Sequence, residues 1–300
     1  MGVQATSAAQ GRDLTAMRGR GWGLKGSGMN IVSKAALESI HAACRLLKAF
    51  QSDEEYQRFI EKCERRLLRE RGIGGSALVG TSGEAGVLRS LIRRNDPVVF
   101  DVGANVGDFA RAALAWRPNA SVHCFEPSQA AHGILKTRLT KSPNVFLNQF
   151  ALGEKRGQQV LFADSPGSGL SSLYKRRLNH AGIVMAHEDA VHIETLDHYC
   201  SERNVPRIDL LKIDGEGHEL RVLEGSQSLF ERGAIQHVMF EFGGTQIDSR
   251  TYLQDFFYFF ERYRMRLLRI TPSGYLHPLV RYREFDEQFL FTNFVAARAD

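Results

Sequence analysis

The sequence predicts an α/β fold built on a mostly parallel sheet, and three patterns carry that expectation. After Pro97 short apolar runs alternate with amphipathic stretches at helical spacing, the signature of strand–crossover–strand units. The runs themselves, Val98–Val102, Ser121–Phe125, 145–150, Ile208–Ile213 and 237–242, are short and nearly continuous in apolar residues, as strands covered on both faces are. Two further strand patterns at 264–271 and 288–297 follow one another with only the turn-rich segment 272–282 between them. Strands joined without a crossover helix pair antiparallel, so the sheet should close on an antiparallel hairpin.

In chain order, residues 1–30 mix Gly, Ser, Ala, Gln and Arg without a period and read as a flexible tail. Over 33–50 the apolar residues Ala36, Leu37, Ile40, Ala43, Cys44, Leu47 and Phe50 recur at helical spacing. A second helix opens at Ser52 with Glu55 completing a capping box; its stripe runs Tyr56, Phe59, Ile60, Cys63, Leu67, Leu68, and Gly72 is placed to end it. Residues 31–80 therefore form a helical cap with a linker, or alternatively a hairpin through which two copies of the chain associate. The Gly/Ser-rich 74–83 is the linker. Residues 84–94 make a short helix with Val87, Leu88, Leu91 and Ile92 inward, and residues 81–300 form the main domain. Its crossover helices fall at Asp108–Trp116, 129–140 and 220–231. Between the third and fourth strands, 158–196 breaks the alternation with short strands near 159–162 and 191–195 around a Ser/Gly-rich loop, an insertion of the kind that carries specificity. The dense aromatic run Phe256, Phe257, Tyr258, Phe259, Phe260 reads as a helix packed into the core. The Arg262, Arg264, Arg266, Arg269 series alternates as if to line one strand face, suited to an anionic acceptor or to an exposed edge.

Composition bounds the possibilities. Of 300 residues 43% are hydrophobic and 24% charged, which suits a soluble globular protein with a sizeable core. No run approaches the roughly 20 apolar residues of a membrane span, and the N-terminus lacks the apolar core of a secretory signal, so a cytoplasmic protein is expected. Cys44, Cys63, Cys124 and Cys200 are scattered, with no paired spacing of a zinc site or a disulfide framework. The net charge of +5 is small and spread along helices, and it does not by itself point to nucleic acid.

The first strand runs from Val98 into Asp101, then through Gly103, Ala104, Asn105 and Gly107 into a helix. Glycines there let backbone approach a ligand, and the helix start turns free N–H groups toward it. A dinucleotide requires G-x-G-x-x-G so that pyrophosphate can sit on the helix N-terminus, but the spacing here is G-x-x-x-G. S-adenosylmethionine carries no phosphate and has a cationic ammonium, which Asp101 suits directly or through water. Glu126, followed by Pro127 at the end of the second strand, is placed to accept both hydroxyls of a ribose. Ala151 and Leu152, beyond the third strand, fall near the adenine. The motif thus favours S-adenosylmethionine as the cofactor.

The fourth strand ends in Lys212, Ile213, Asp214, Gly215, Glu216, Gly217, His218, Glu219. In open α/β sheets ligands lie outside the carboxyl ends of the strands, so Asp214, Glu216 and His218 gather beside the cofactor, Asp214 contributing to both sites. Glu219 reads as a first-turn acid favoured by the helix dipole.

Taken together, the 101–107 turn, Glu126 with Pro127, the Ser171, Ser172, Leu173 loop, Glu194 to Asp197, the 214–219 motif, Glu241 and the closing Thr292, Asn293, Phe294, Val295, Ala296 resemble the FkbM-type methyltransferases over residues 84–297. The resemblance implies the class I methyltransferase fold, a seven-stranded sheet with an antiparallel C-terminal hairpin. It also implies transfer of a methyl group from S-adenosylmethionine to a hydroxyl of a sugar, polyketide or similar small metabolite. His218 is one base for that hydroxyl; Asp214 or Glu216 is another, or these carboxylates position the acceptor. No metal is required. The loop 168–173 either closes over the cofactor or is plain surface. The competing expectations are an RNA methyltransferase, resting on the basic balance alone, and a non-catalytic cofactor-binding scaffold.

Overall fold

The computed structural model describes residues 29–47, 54–75, 84–140 and 142–298. Most of the expected tail, and most of the 74–83 linker, lie outside the described residues. The chain divides into two compact units, one ending at Glu61 and one starting at Lys62. The first helix, α1 (Met29–Leu47), begins before the expected tail ends and carries Leu37 and Ile40 exposed. The division falls within α2 (Glu54–Glu70), which has no buried residue and leaves Phe59 and Leu67 exposed. Pairs one turn apart, Arg58 with Glu54 and Arg66 with Glu70, support α2 on its wet face.

The second unit begins its α/β alternation with α3 (Glu84–Leu91), β1 (Val98–Val102), α4 (Asp108–Trp116), β2 (Ser121–Phe125), α5 (Gln129–Leu139) and β3 (Val145–Asn148). The insertion follows as β4 (Ala151–Leu152), β5 (Gly157–Ala163) and β6 (His187–Glu194), which make a separate three-stranded sheet in the order β4-β6-β5. Then come α6 (Leu196–Glu202), β7 (Ile208–Ile213), α7 (Glu219–Glu224), α8 (Gln227–Glu231), β8 (Ile235–Phe242), α9 (Thr245–Ser249), α10 (Leu253–Arg262), β9 (Met265–Ile270), β10 (Leu276–Leu279) and β11 (Thr292–Arg298).

The main sheet has eight strands in the order β10-β9-β11-β8-β7-β1-β2-β3. Strands β1, β2, β3, β7 and β8 pair in parallel, and β11 inserts antiparallel between β8 and β9. This is the expected class I topology with one strand added. The extra strand, β10, lies in a segment that reads as turn; Pro278 is tolerated because β10 sits at the edge. Every residue of β7 is buried, as the apolar run predicts for a central strand.

Two elements depart from the sequence pattern for packing reasons. The helix expected over 220–231 breaks at Gly225, where a Cβ would stand 2.0 Å from the Gly153 carbonyl oxygen. The four arginines do not share a face: Arg269 is buried and donates from Nε to the Arg71 carbonyl at 2.9 Å, whereas Arg266 is exposed on the other side of β9. Strand parity separates 266 from 269, and β10 covers the edge. The aromatic run packs inward as expected, with Phe256 stacked on Phe240 at 4.7 Å between ring centres and Tyr258 left outside.

Candidate active site

The carboxyl ends of β1, β2 and β7 meet at a set of turns held by backbone. Gly103 has φ +74, and a Cβ there would lie 1.8 Å from the Asp214 carbonyl oxygen, so only glycine fits. The amides of Gly103 and Ala104 both donate to the Phe125 carbonyl, at 2.9 and 3.0 Å. Asn105 also takes a left-handed backbone, φ +45, which aims its amide at Glu126 Oε2 (2.8 Å). The Ser128 amide donates to the other oxygen, Oε1, at 2.8 Å. Glu126 is thus buried and fixed by two amides, with a lone pair on each oxygen still to spare. Burial pushes its pKa up to about 7 against the pull of those two bonds.

The loop after β7 is tied as firmly. The Asp214 amide donates to the Val102 carbonyl, and Glu216 and Gly217 follow with φ +50 and +104. Glu219 opens α7, as a first-turn acid does, and it also knots the loop. Its carboxylate accepts from the amides of Gly215 (2.9 Å) and Gly217 (3.1 Å) and from Gln246 Nε2 (2.6 Å). His218 is buried just before α7; its Nδ1 lies 3.3 Å from the Tyr174 hydroxyl, and its Nε2 has no hydrogen-bond partner among the described residues. Burial draws the His218 pKa down to about 4, so the ring is neutral at pH 7. Arg176 donates to Glu216 Oε2 at 2.6 Å, yet burial and the neighbouring Asp214 still raise the Glu216 pKa to about 8.

The insertion supplies the lid of this arrangement. Ser172 Oγ donates to the Glu216 carbonyl at 2.7 Å and accepts from the Tyr174 amide, so the segment 172–176 lies directly on the 214–219 loop. Other motif residues serve the frame: Thr195 caps α6 by accepting from the His198 amide, and Asp197 accepts from the amides of Ser228 and Leu229.

Beneath the loop runs a charged row. Lys212, next to Asp101 across the β1–β7 ladder, places Nζ 2.9 Å from Asp214 Oδ2 and 3.8 Å from Asp101 Oδ1. Asp101 is fully buried; neither oxygen has a hydrogen bond, and the Ala110 amide that faces it falls short of bonding geometry. Burial raises the Asp101 pKa to about 6 while Lys212 opposes the rise. Burial also opposes the charge on Lys212, but Asp214 and Asp101 outweigh it and keep the ammonium protonated.

These elements enclose an open cavity with about 660 Å³ of free space. Gly103, Asn105, Glu126, Pro127, Ala151, Leu152 and Asp214, expected around the cofactor, all line it, as do Glu216 and His218. Asp101, Ala104 and Gly107 do not: Asp101 faces Lys212 inside the sheet, Ala104 is held in the turn, and Gly107 (φ +89) packs against Leu135. Ser168, Gly169 and Ser171 of the Ser/Gly-rich loop reach the rim. Three carboxylates face the cavity and, among the described residues, no Lys or Arg lines it, a set of groups that suits a cationic nucleoside and opposes a pyrophosphate. Among the described residues no group of three or more His, Cys, Asp or Glu is placed to hold a metal ion.

Sequence reasoning passed over Lys212, Tyr174 and Arg176. Lys212 had a signal, a lone cation inside an otherwise apolar buried strand. Tyr174 and Arg176 had none, since each meets its partner across 40 or more residues of chain.

Comparison with known proteins adds the family. The Methyltransferase FkbM domain profile matches residues 101–269. The 2-O-methyltransferase NoeI of Sinorhizobium fredii is 31% identical over 148 residues, 46% of this chain and 60% of the relative. The hexuronic acid methyltransferase AglP of Haloferax volcanii is 28% identical over 163 residues, 53% of this chain and 60% of the relative. The 31-O-demethyl-FK506 methyltransferase FkbM of Streptomyces tacrolimicus is 29% identical over 156 residues, 44% of this chain and 60% of the relative. The chain therefore spans about 60% of the length of these curated relatives. A crystal structure of methyltransferase FkbM from Methylobacillus flagellatus superposes with a TM-score of 0.43 at 15% identity, over 70% of this chain and 47% of that one.

Proposed function

The chain belongs to the FkbM methyltransferase family, and on that premise we propose that it transfers the methyl group of S-adenosylmethionine to a hydroxyl oxygen of a small metabolite of the sugar or polyketide kind. The observation that carries the reading is the cavity at the ends of β1, β2 and β7, faced by Glu126, Asp214 and Glu216 and, among the described residues, by no Lys or Arg. S-adenosylmethionine has a sulfonium and an ammonium against one carboxylate, so a negative cavity favours it. Glu126, with its spare lone pairs, would hold the ribose hydroxyls, and Pro127, Ala151 and Leu152 would give the adenine an apolar wall.

When bound, S-adenosylmethionine supplies an electrophilic methyl carbon, and the electron pair of the broken carbon–sulfur bond stays on sulfur. The chain's own work is to hold the acceptor oxygen in line and to take its proton. Burial raises Glu216 to about 8, and once a bound cation favours its ionised form it is the base that would take the proton at Oε1 while Arg176 holds Oε2; His218, drawn down to about 4, is the weaker base. Asp214, held by Lys212, orients the acceptor; His218 offers its neutral Nε2 as a second acceptor of the hydroxyl hydrogen. Asp101 acts at one remove, by fixing Lys212.

Calorimetric titration with S-adenosylhomocysteine tests the placement. Glu126→Ala should weaken binding at least tenfold while the domain still melts cooperatively, with about 1–2 kcal/mol lost because the Asn105 and Ser128 amides lose their acceptor. Unchanged affinity would remove Glu126 from the ribose.

The same reading keeps the protein in the cytoplasm, in line with free thiols at Cys63, Cys124 and Cys200 and with no described helix long and apolar enough to cross a membrane. It also has two copies associate through the N-terminal helices, whose Leu37, Ile40, Phe59 and Leu67 are exposed. Sedimentation as a monomer at micromolar concentration would contradict that association.

A further inference from the structure

Strand register fixes where the buried arginine of β9 stands. Ile213, Phe240, Phe294 and Arg269 oppose one another across β7, β8, β11 and β9, so Arg269 leaves the same sheet face, in the same row, as the end of the strand that delivers Asp214. Three strand spacings of about 4.8 Å put it roughly 14 Å along that row. The buried rings of Phe240 and Phe294, 5.6 Å apart, stand between and separate it from the cofactor cavity.

Around Arg269 the chain gathers more positive charge than it neutralises. Arg71, at the exit of α2, and Arg283, in the turn that precedes β11, join it about one buried carboxylate, Asp286. Arg283 takes both oxygens of that carboxylate, Nε on Oδ2 at 2.8 Å and Nη2 on Oδ1 at 2.9 Å. Arg71 Nη2 and Arg269 Nη1 are left 3.7 and 3.8 Å from Oδ1, beyond hydrogen-bond reach. Among the described residues no other carboxylate pairs with any of the three. Glu287 is turned to the Leu253 and Gln254 amides and the Tyr282 hydroxyl, and exposed Glu284 bears on Tyr282 instead. Three guanidiniums against one carboxylate leave two positive charges.

Backbone holds these cations in place. Gly72 has φ +85, and a Cβ there would stand 2.1 Å from the Ile270 carbonyl oxygen; the Gly74 amide donates to the Phe291 carbonyl at 2.7 Å. The Arg71 carbonyl accepts from Arg269 Nε at 2.9 Å, so the two arginines are fixed side by side. The Arg269 side chain is 5% exposed, whereas Arg71 and Arg283 keep 29% and 47%. A buried cation thus forms the floor and two half-open cations the walls. Burial and the adjoining Arg71 draw the Arg269 pKa down against the pull of Asp286. An anion entering between the three would relieve that repulsion. A phosphoryl group fits best, because its charge of about −1.5 to −2 near pH 7 matches the surplus and its oxygens match guanidinium forks.

We propose that Arg71, Arg269 and Arg283 form a second ligand site that takes a phosphoryl group, separate from the cofactor cavity and independent of what that cavity binds. The group is either free phosphate or the phosphate of a nucleotide, for which the exposed Phe285 ring beneath Arg71, 4.8 Å from its guanidinium, offers an aromatic flank.

The test is thermal melting and calorimetric titration of the full chain with inorganic phosphate, UDP and acetate, ionic strength being held constant with sodium chloride. Phosphate at about 20 mM should raise the wild-type melting temperature by about 3 °C over chloride, and acetate should not. Arg71→Gln and Arg283→Gln, at the half-open positions, should each bind phosphate at least tenfold more weakly, while Arg71→Lys stays within threefold of wild type. Asp286→Asn runs the other way: with the competing carboxylate gone, phosphate should bind at least threefold more tightly and raise that variant's melting temperature more than it raises the wild type's. UDP tenfold tighter than phosphate, and lost in the same glutamine variants, assigns the site to a nucleotide; equal affinities assign it to the free ion. No stabilisation by phosphate or UDP beyond that of chloride overturns the site, and so does phosphate binding that both folded glutamine variants retain or that acetate equals.

Discussion

The two sides of the active site are built from different materials. On the β1–β2 side the ligand cavity is shaped by backbone: left-handed Gly103 and Asn105, amides on Phe125, and Glu126 pinned by two N–H groups. On the side of the loop after β7 it is shaped by side chains of the insertion that reach across long stretches of chain, Arg176 to Glu216 and Tyr174 to His218. A backbone cradle constrains residue type at each position and accepts one ligand geometry. A side-chain wall can be rewritten without disturbing the turns, which is how one cofactor site is made to serve different acceptors.

The largest effect should come from the backbone side. Gly103→Ala sets a methyl 1.8 Å from the Asp214 carbonyl oxygen and forbids φ +74, so a loss of roughly 4 kcal/mol in folding stability is expected, with cofactor binding abolished. A variant that melts within a few degrees of wild type would show that the turn relaxes. Lys212→Met comes next: it strips from buried Asp101 the cation that faces it and should cost about 3 kcal/mol, much of it recovered by adding Asp101→Asn. Chemical denaturation of the two single variants and the double variant measures that recovery.

Protonation separates the two sides less drastically. Burial raises Glu126 to about 7 and Glu216 to about 8, both above an unfolded carboxylate. The folded protein therefore holds protons that the unfolded chain has released, and its stability without ligand should fall as pH rises from about 5 to 8. A cationic ligand favours the ionised forms, so its affinity should run the other way, rising across pH 6 to 8. Parallel melting and binding curves would contradict this. The smallest effect belongs to Tyr174→Phe, which keeps the ring beside His218 and removes one bond of 3.3 Å: about 1 kcal/mol in stability and less than threefold in turnover.

The same division decides what the sequence reveals. Apolar strands, glycine turns and the acids that follow them are local features, and β1, β2, β7 and the residues Gly103, Asn105, Glu126 and Asp214 were legible from them. The direction of Asp101 was not, because strand parity turns it to Lys212 rather than to the cavity. The break between α7 and α8 depends on Gly153 pressing against Gly225, and β10 depends on an edge position that excuses Pro278. Each is fixed by a partner far along the chain, which no short window of sequence contains.

Side-by-side calorimetric titrations of S-adenosylmethionine and of NAD at pH 8 address the carboxylate-lined cavity most directly. Saturable binding of S-adenosylmethionine, with release of protons to the buffer and no heat from NAD, is the predicted result. Binding of NAD, or silence toward S-adenosylmethionine, would contradict it.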